Sequence, residues 1–309
     1  MLNSKKMLGV MDTVTPLKIS LFANLLNAIL DPILIFNANM GVTGAALATL
    51  GAEIASCTLF LYSLFNKRMI VASKLFRLPA WKTLSPLIKG GAALQLRNFA
   101  MNLTFLAVTR VTQSVDNTGV AAAAHAMAIQ TFQLGGIVLL AVSTVAQTVV
   151  PNAMVERVDK ETGVKTGGIL AARATTNRLM SWGLILGIAL GALQVALFPF
   201  LSKASPLIEV RQAARTPAMY ASLYQIINGL VFIGEGVMVG TGSFMQLSLS
   251  TLVATSFTLL GLNTLPVRYG LNGVWMSFGI FNCLRLAGVA VHQFRTGPLA
   301  RRKEVAERA

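Results

Sequence analysis

Three acids interrupt otherwise apolar stretches of this 309-residue chain: Asp31, Glu53 and Glu235. Charge is costly at bilayer depth, so such groups face a cavity or a partner. Glu235 stands in Phe232-Ile-Gly-Glu-Gly-Val-Met238, where a glycine on either side thins the helix and would let water or a substrate approach. A carboxyl taken out of water can exchange its proton near neutral pH, which suits ion coupling. The competing reading is a structural carboxylate bonded to a neighbouring helix. Glu53, midway along its stretch, is a second coupling candidate. Asp31 precedes Pro32, and proline both removes a backbone bond and pushes the preceding residue out of helical geometry. A kink is expected there, with Asp31 either a lumen-facing acid or an interfacial cap.

Two guanidiniums share these surroundings. Arg97 lies eleven residues into its apolar stretch, about 16 Å along a helix axis, and Arg285 is similarly placed in the last one. Either would pair with Glu235 or bind an anionic substrate bidentately, or else snorkel to the interface. Gln95, Asn98 and Asn102 recur at spacings of three and four, so they share a helix face. Gln130, Gln133 and Gln147 make a second polar stripe. Both stripes read as cavity lining or as interhelical hydrogen bonding. On this basis Arg97, Asn98, Asn102, Gln130, Gln133 and Arg285 are the candidate substrate contacts. His125 is of a residue type that can titrate near physiological pH, though it also reads as a polar residue at a helix end.

Elements that hold such groups must span a membrane. The chain is 54% hydrophobic and 12% charged, against roughly a quarter charged in soluble domains. About 20 apolar residues cross ~30 Å of hydrocarbon. Eight spans meet that length: Leu17–Phe36, Gly44–Phe65, Pro86–Gln113, Val120–Val150, Leu179–Leu201, Ala218–Val239, Met245–Leu265 and Gly273–Phe294. The fold expected is all-α, a polytopic membrane helix bundle, without strands. Cys57 and Cys283 lie inside spans with no Cys/His cluster nearby, so neither disulfide nor metal is expected. The Walker A pattern of a primary ATP-driven pump is absent, and no enzyme or cofactor is indicated.

Basic residues outnumber acidic ones 26 to 11, a net charge of +15. They cluster between spans, as expected for orienting charge rather than nucleic-acid binding. One side collects Lys5, Lys6, Lys18, Lys67, Arg68, Lys74, Arg77, Lys82, Lys89, Arg157, Lys160, Lys165, Arg173, Arg178, Arg295, Arg301, Arg302, Lys303 and Arg308. The other has Arg110, Lys203, Arg211, Arg215 and Arg268. Nineteen against five places both termini on the cytoplasmic side or its equivalent.

A repeat is visible. Gly41-Val-Thr-Gly44 and Gly270-Leu-Asn-Gly273 each open a span, 229 residues apart. Transporters are often built from such repeats. If this interval is one repeat, residues 86–294 form a complete six-helix lobe. Residues 1–66 are then two helices of a preceding lobe, with 67–85 a basic linker and 295–309 a basic tail. Four helices would be missing upstream, so a missing lobe or a second chain is an expected partner beside the bilayer.

The segments Asp12-Thr-Val-Thr-Pro-Leu17, Asn27-Ala-Ile-Leu-Asp-Pro32 and Gly41-Val-Thr-Gly-Ala-Ala46 resemble the multidrug and toxic compound extrusion (MATE) family after its fourth helix. Ile233-Gly-Glu-Gly236 with Gly240, and Gly273-Val-Trp275 with Leu284-Arg285, resemble its tenth and twelfth helices. Leu96-Arg97 and His125 look most like the branch of bacterial DNA-damage-inducible and plant plastid members. The resemblance implies twelve helices in two lobes, of which this chain matches helices five to twelve. It also implies a secondary-active, proton- or Na+-coupled antiporter exporting drugs, organic anions or organic cations. Members use an acidic residue near Glu235 in some cation sites. A lipid-linked oligosaccharide flippase of the same superfamily, or a non-transporting fragment, are the rivals. The host membrane is a plasma membrane or a plastid envelope.

Overall fold

In hydrocarbon the backbone must satisfy its own polar groups, and long apolar runs do so as helices. The computed structural model describes residues 14–67, 80–158 and 165–300. Among the described residues there are seven α-helices: α1 (Val14–Pro32), α2 (Gly41–Asn66), α3 (Trp81–Gln113), α4 (Val120–Met154), α5 (Ile169–Leu201), α6 (Ile208–Gly240) and α7 (Phe244–Val291). Gly270, at φ 54 and ψ −134, breaks α7 into arms of 244–269 and 271–291. Counting both arms gives the eight rods expected from sequence. Among the described residues six helices, α7 counted once, are long and apolar enough to cross a membrane. The remaining one, α3, is as long but carries Lys82, Lys89, Arg97, Asn98, Asn102 and Arg110. The protein is a multi-pass membrane helix bundle.

Two local departures from expectation are small. The kink at Pro32 takes the form of a π turn, Ile33–Asn37, because proline leaves a carbonyl one turn back without its donor. A two-residue antiparallel ladder, Arg157–Val158 with Lys165–Thr166, joins the α4–α5 connection where no strand was expected. Several basic residues counted toward orientation lie outside the described residues: Lys5, Lys6, Arg68, Lys74, Arg77, Lys160, Arg301, Arg302, Lys303 and Arg308. So do Asp12 and Thr13, most of the linker, and the tail from 301.

The described residues form two compact units, one up to Thr83 and one from Leu84. In the first, α1 and α2 form a hairpin whose far ends meet where Lys67 Nζ donates to Thr15 Oγ1 at 2.7 Å. Its turn contains Gly41 at φ 54, and a Cβ on Gly44 would lie 2.6 Å from Leu34 O. The second unit repeats this elbow. Gly270 also has φ 54, and Gly273 abuts the Leu265 carbonyl. The sequence repeat is therefore a repeat of geometry, one glycine for the turn and the next for close approach.

In the second unit α6 is buried along most of its length. Gly183, Gly187 and Gly191 of α5 let its backbone touch α6 at Gly229, Gln225 and Ser222. This small-xxx-small pattern is how membrane helices gain close packing. On α6 itself, Gly236 and Gly240 face α4 at Ser143 and Gln147, while Gly234 faces Val289 of the second arm of α7. Tyr224, Trp275, Phe278, Phe281 and Phe132 fill the centre. Helix α3 is stitched to the first arm of α7 by Thr104 and Thr255, whose hydroxyls lie 3.0 Å apart.

Candidate functional site

Glycines on both sides of Glu235 bring three helices together around it. The flanking pair serves helix contact, not ligand access: a Cβ at Gly236 would lie 2.5 Å from Ser143 O, and one at Gly234 would strike Val289. Glu235 is consequently only 5% exposed. Arg285 meets it with two parallel bonds, Nε to Oε1 at 2.8 Å and Nη2 to Oε2 at 2.9 Å. Arg97 of α3 donates its Nη2 to the same Oε2. The guanidinium of Arg285 lies over the Phe281 and Phe232 rings, 5.2 and 5.6 Å from their centroids. Arg285 is thus fixed on every side.

The cluster forms the floor of a cleft of about 550 Å³. Gln95, Asn98 and Asn102 of α3 line one wall; Leu140, Ser143 and Gln147 of α4 line another. Asn98 links Arg97 (3.5 Å) to Gln95 (3.4 Å). Ser143 Oγ donates to Phe232 O at 2.7 Å, closing the α4–α6 side. Glu235 is the one acid among the cleft residues, against two arginines. With the carboxylate ionised, the cleft floor carries one surplus positive charge. That surplus belongs to Arg97: its side chain is 19% exposed, against 4% for Arg285. Its Nε is buried and meets no acceptor among the described residues.

Of the residues singled out by sequence, Glu235, Arg97, Arg285, Asn98 and Asn102 converge here, with Gln95 and Gln147 beside them. Gln130 and Gln133 do not line the cleft. Gln133 is seven residues N-terminal to Leu140 along α4, about 10 Å. Both are exposed. Asp31 is half-buried and Glu53 exposed; both belong to the first unit and make no hydrogen bond or ion pair with the described residues. His125 is not at an exposed helix end. It is 4% exposed with its ring 5.6 Å from that of Trp275.

No family model matches the chain. Among curated proteins it is 27% identical over 292 residues to Protein DETOXIFICATION 44, chloroplastic, of Arabidopsis thaliana, covering 94% of this chain and 53% of that protein. It is 28% identical over 293 residues to Protein DETOXIFICATION 45, chloroplastic, of the same plant, covering 94% and 49%. The probable multidrug resistance protein NorM of Thermotoga maritima is 23% identical over 284 residues, covering 87% and 57%. Solved structures with the same fold include a MATE crystal structure in the bent conformation, with TM-score 0.76 and 18% identity over 94% of this chain and 62% of that one. An outward-facing multidrug resistance MATE family transporter gives TM-score 0.73 at 18% identity, covering 91% and 62%.

The chain is similar in sequence to DETOXIFICATION and NorM proteins and shares the fold of MATE transporters.

It spans about half the length of the curated relatives it matches. The charged residues of the cleft are legible in the sequence, whereas Ser143, Phe232 and Phe281 join them only in the structure. Ser143 was findable, since it lies one turn before Gln147 on the polar stripe of α4. The two phenylalanines gave no signal, because ring stacking on Arg285 depends on how α6 and α7 are rotated.

Proposed function

We propose that this chain is part of a secondary-active transporter that carries small organic anions together with protons, with Glu235 as its coupling residue. The observation that carries the reading is a buried carboxylate shared by two arginines at the base of an amide-lined cleft. Ionised, Glu235 ties α3 to α6 and α7 and leaves Arg97 partly free for an anion. Protonated, it releases both guanidiniums and unties α3. Ion binding then biases the relative stability of two conformations, as alternating access requires.

The charge balance supports a sign, proton and anion moving together. A proton on Glu235 and an anion on Arg97 favour one another, and linkage makes that reciprocal. A cation would instead compete with the proton, which is the exchange expected of a drug antiporter. One surplus positive charge in the cleft supports the anion. The cleft is compact and holds two arginines, which gives no support to a flippase with a long basic lateral groove.

Counterflow into proteoliposomes tests this. Labelled 2-naphthalenesulfonate and the matched 2-naphthyltrimethylammonium differ in charge but little in shape. The sulfonate should accumulate, and Arg97→Gln should abolish accumulation. Accumulation of the cation instead overturns the substrate class; accumulation of neither by folded protein overturns transport by this chain.

A further inference from the structure

On the face of α6 turned away from Glu235 lies a second cavity, a groove of about 600 Å³ between α5 and α6. Met219, Leu223 and Ile226 form one rim, and Ile188 and Val195 form the other. All but Ile226 are strongly exposed apolar side chains on helices that cross a membrane. The groove exists because α5 has small residues, Gly191 and Ala192, opposite Ser222. Gly191 draws the two backbones together, while Ala192 leaves the space beside them empty.

Its polarity changes along its length. On α6 it runs from Thr216 to Ile226, ten residues or about 15 Å, which is half of a ~30 Å hydrocarbon core. The Thr216 end holds a hydroxyl and the aromatic Tyr220, a residue type favoured at the membrane interface. Arg215 stands one helical turn outward of Met219 on the same face. It is exposed and has no ion pair among the described residues. The Ile226 end is wholly apolar. A groove one leaflet long, apolar at the midplane and cationic at the interface, has the length and polarity of one phospholipid.

We propose that the α5–α6 groove is a binding site for an anionic phospholipid, with an acyl chain along Ala192 and Leu223 and the phosphate against Arg215. A chain in the groove removes the rim side chains from a void that the bilayer would otherwise have to fill without specific contact. The arginine adds a charge-assisted contact that a zwitterionic headgroup, with its own ammonium, satisfies less well. This site shares no residue with the Arg97–Glu235–Arg285 cleft, so it stands whatever that cleft carries.

Native mass spectrometry of the purified chain tests the site, after equilibration with equal amounts of phosphatidylglycerol and phosphatidylcholine of the same chain length. Wild type should retain one phosphatidylglycerol at several-fold higher occupancy than phosphatidylcholine. Arg215→Gln should bring that ratio to about one. Ala192→Phe fills the groove and should lose the retained lipid. Val195→Phe does so from the rim and serves if the first variant fails to fold. Equal retention of the two lipids by wild type overturns the proposal. So does an Arg215→Gln chain that keeps the preference, or a folded groove-filling variant that keeps the lipid.

Discussion

Arg285 grips Glu235 bidentately, at 2.8 and 2.9 Å, across 50 residues of sequence and between two different helices. Removing one partner of such a buried pair strands the other. Glu235→Gln leaves Arg285, 4% exposed, without a counter-charge, and should destabilise the chain by about 3–5 kcal/mol. Arg97→Gln leaves Glu235 still paired and should cost clearly less. Thermal unfolding in detergent should rank the variants in that order, and a Glu235→Gln chain as stable as wild type would refute the buried cluster.

The two glycine elbows give a paired prediction. Nothing lies within 4 Å of a Cβ built on Gly41, and only Val115 Cγ1, at 3.8 Å, near one on Gly270. Alanine at either position should therefore cost backbone strain alone, about 1–3 kcal/mol. Alanine at Gly44 or Gly273 meets a carbonyl and should cost about as much through overpacking. Matching penalties at 41 and 270, and at 44 and 273, are expected in urea or thermal titrations. A silent Gly270→Ala beside a costly Gly41→Ala would mean that the repeat is one of sequence only.

Between α3 and α4, Asp116 caps the start of α4. Its Oδ2 accepts from the Ala121 N–H at 2.8 Å, and its Oδ1 from Gly119 and Thr118. Chiefly the Ala121 N–H, with those of Gly119 and Thr118, holds its carboxyl below the ordinary aspartate value. The folded state thus binds the proton more weakly than the unfolded one, so the contribution is complete above roughly pH 4 and lost as pH falls through the lowered value. Hydrogen exchange at residues 118–121 should speed up at acid pH in wild type. Asp116→Asn should show faster exchange at neutral pH and a flatter pH response; exchange unchanged by the substitution would deny the cap.

The basic asymmetry predicts how α3 is oriented. Ala80 and Asn117 flank it and are both exposed. With Cys57 and Cys283 replaced by alanine, Ala80→Cys should react with impermeant maleimide only from the cytoplasmic side and Asn117→Cys only from the opposite side. Reaction of both from one side would remove α3 from the spans.

Much of the fold was readable because hydrocarbon permits little besides helices, so span length and charge placement carry it. The 41/270 repeat was readable as two Gly-x-x-Gly segments at the openings of two spans; that each is an elbow was not, because the turn shows only in the backbone. The site was readable by residue type, since an acid and two arginines inside apolar spans have few reasons to be there. Their pairing was not, because Arg97 and Glu235 are 138 residues apart and meet only through the rotations of three helices. The glycines beside Glu235 look the same in sequence whether they admit a ligand or a neighbouring helix. Gln130 and Gln133 carry the right periodicity at the wrong depth, which a stripe alone does not reveal.

Equilibrium binding of 2-naphthalenesulfonate between pH 5 and 8 tests the role of Glu235 most directly, because the probe does not titrate in that range. Affinity should rise as pH falls, as protonation of Glu235 releases Arg97 and Arg285. In Glu235→Gln it should be high and independent of pH. Affinity that falls with acid, or a Glu235→Gln chain that keeps the wild-type pH dependence, would contradict Glu235 as the residue that couples ion to anion.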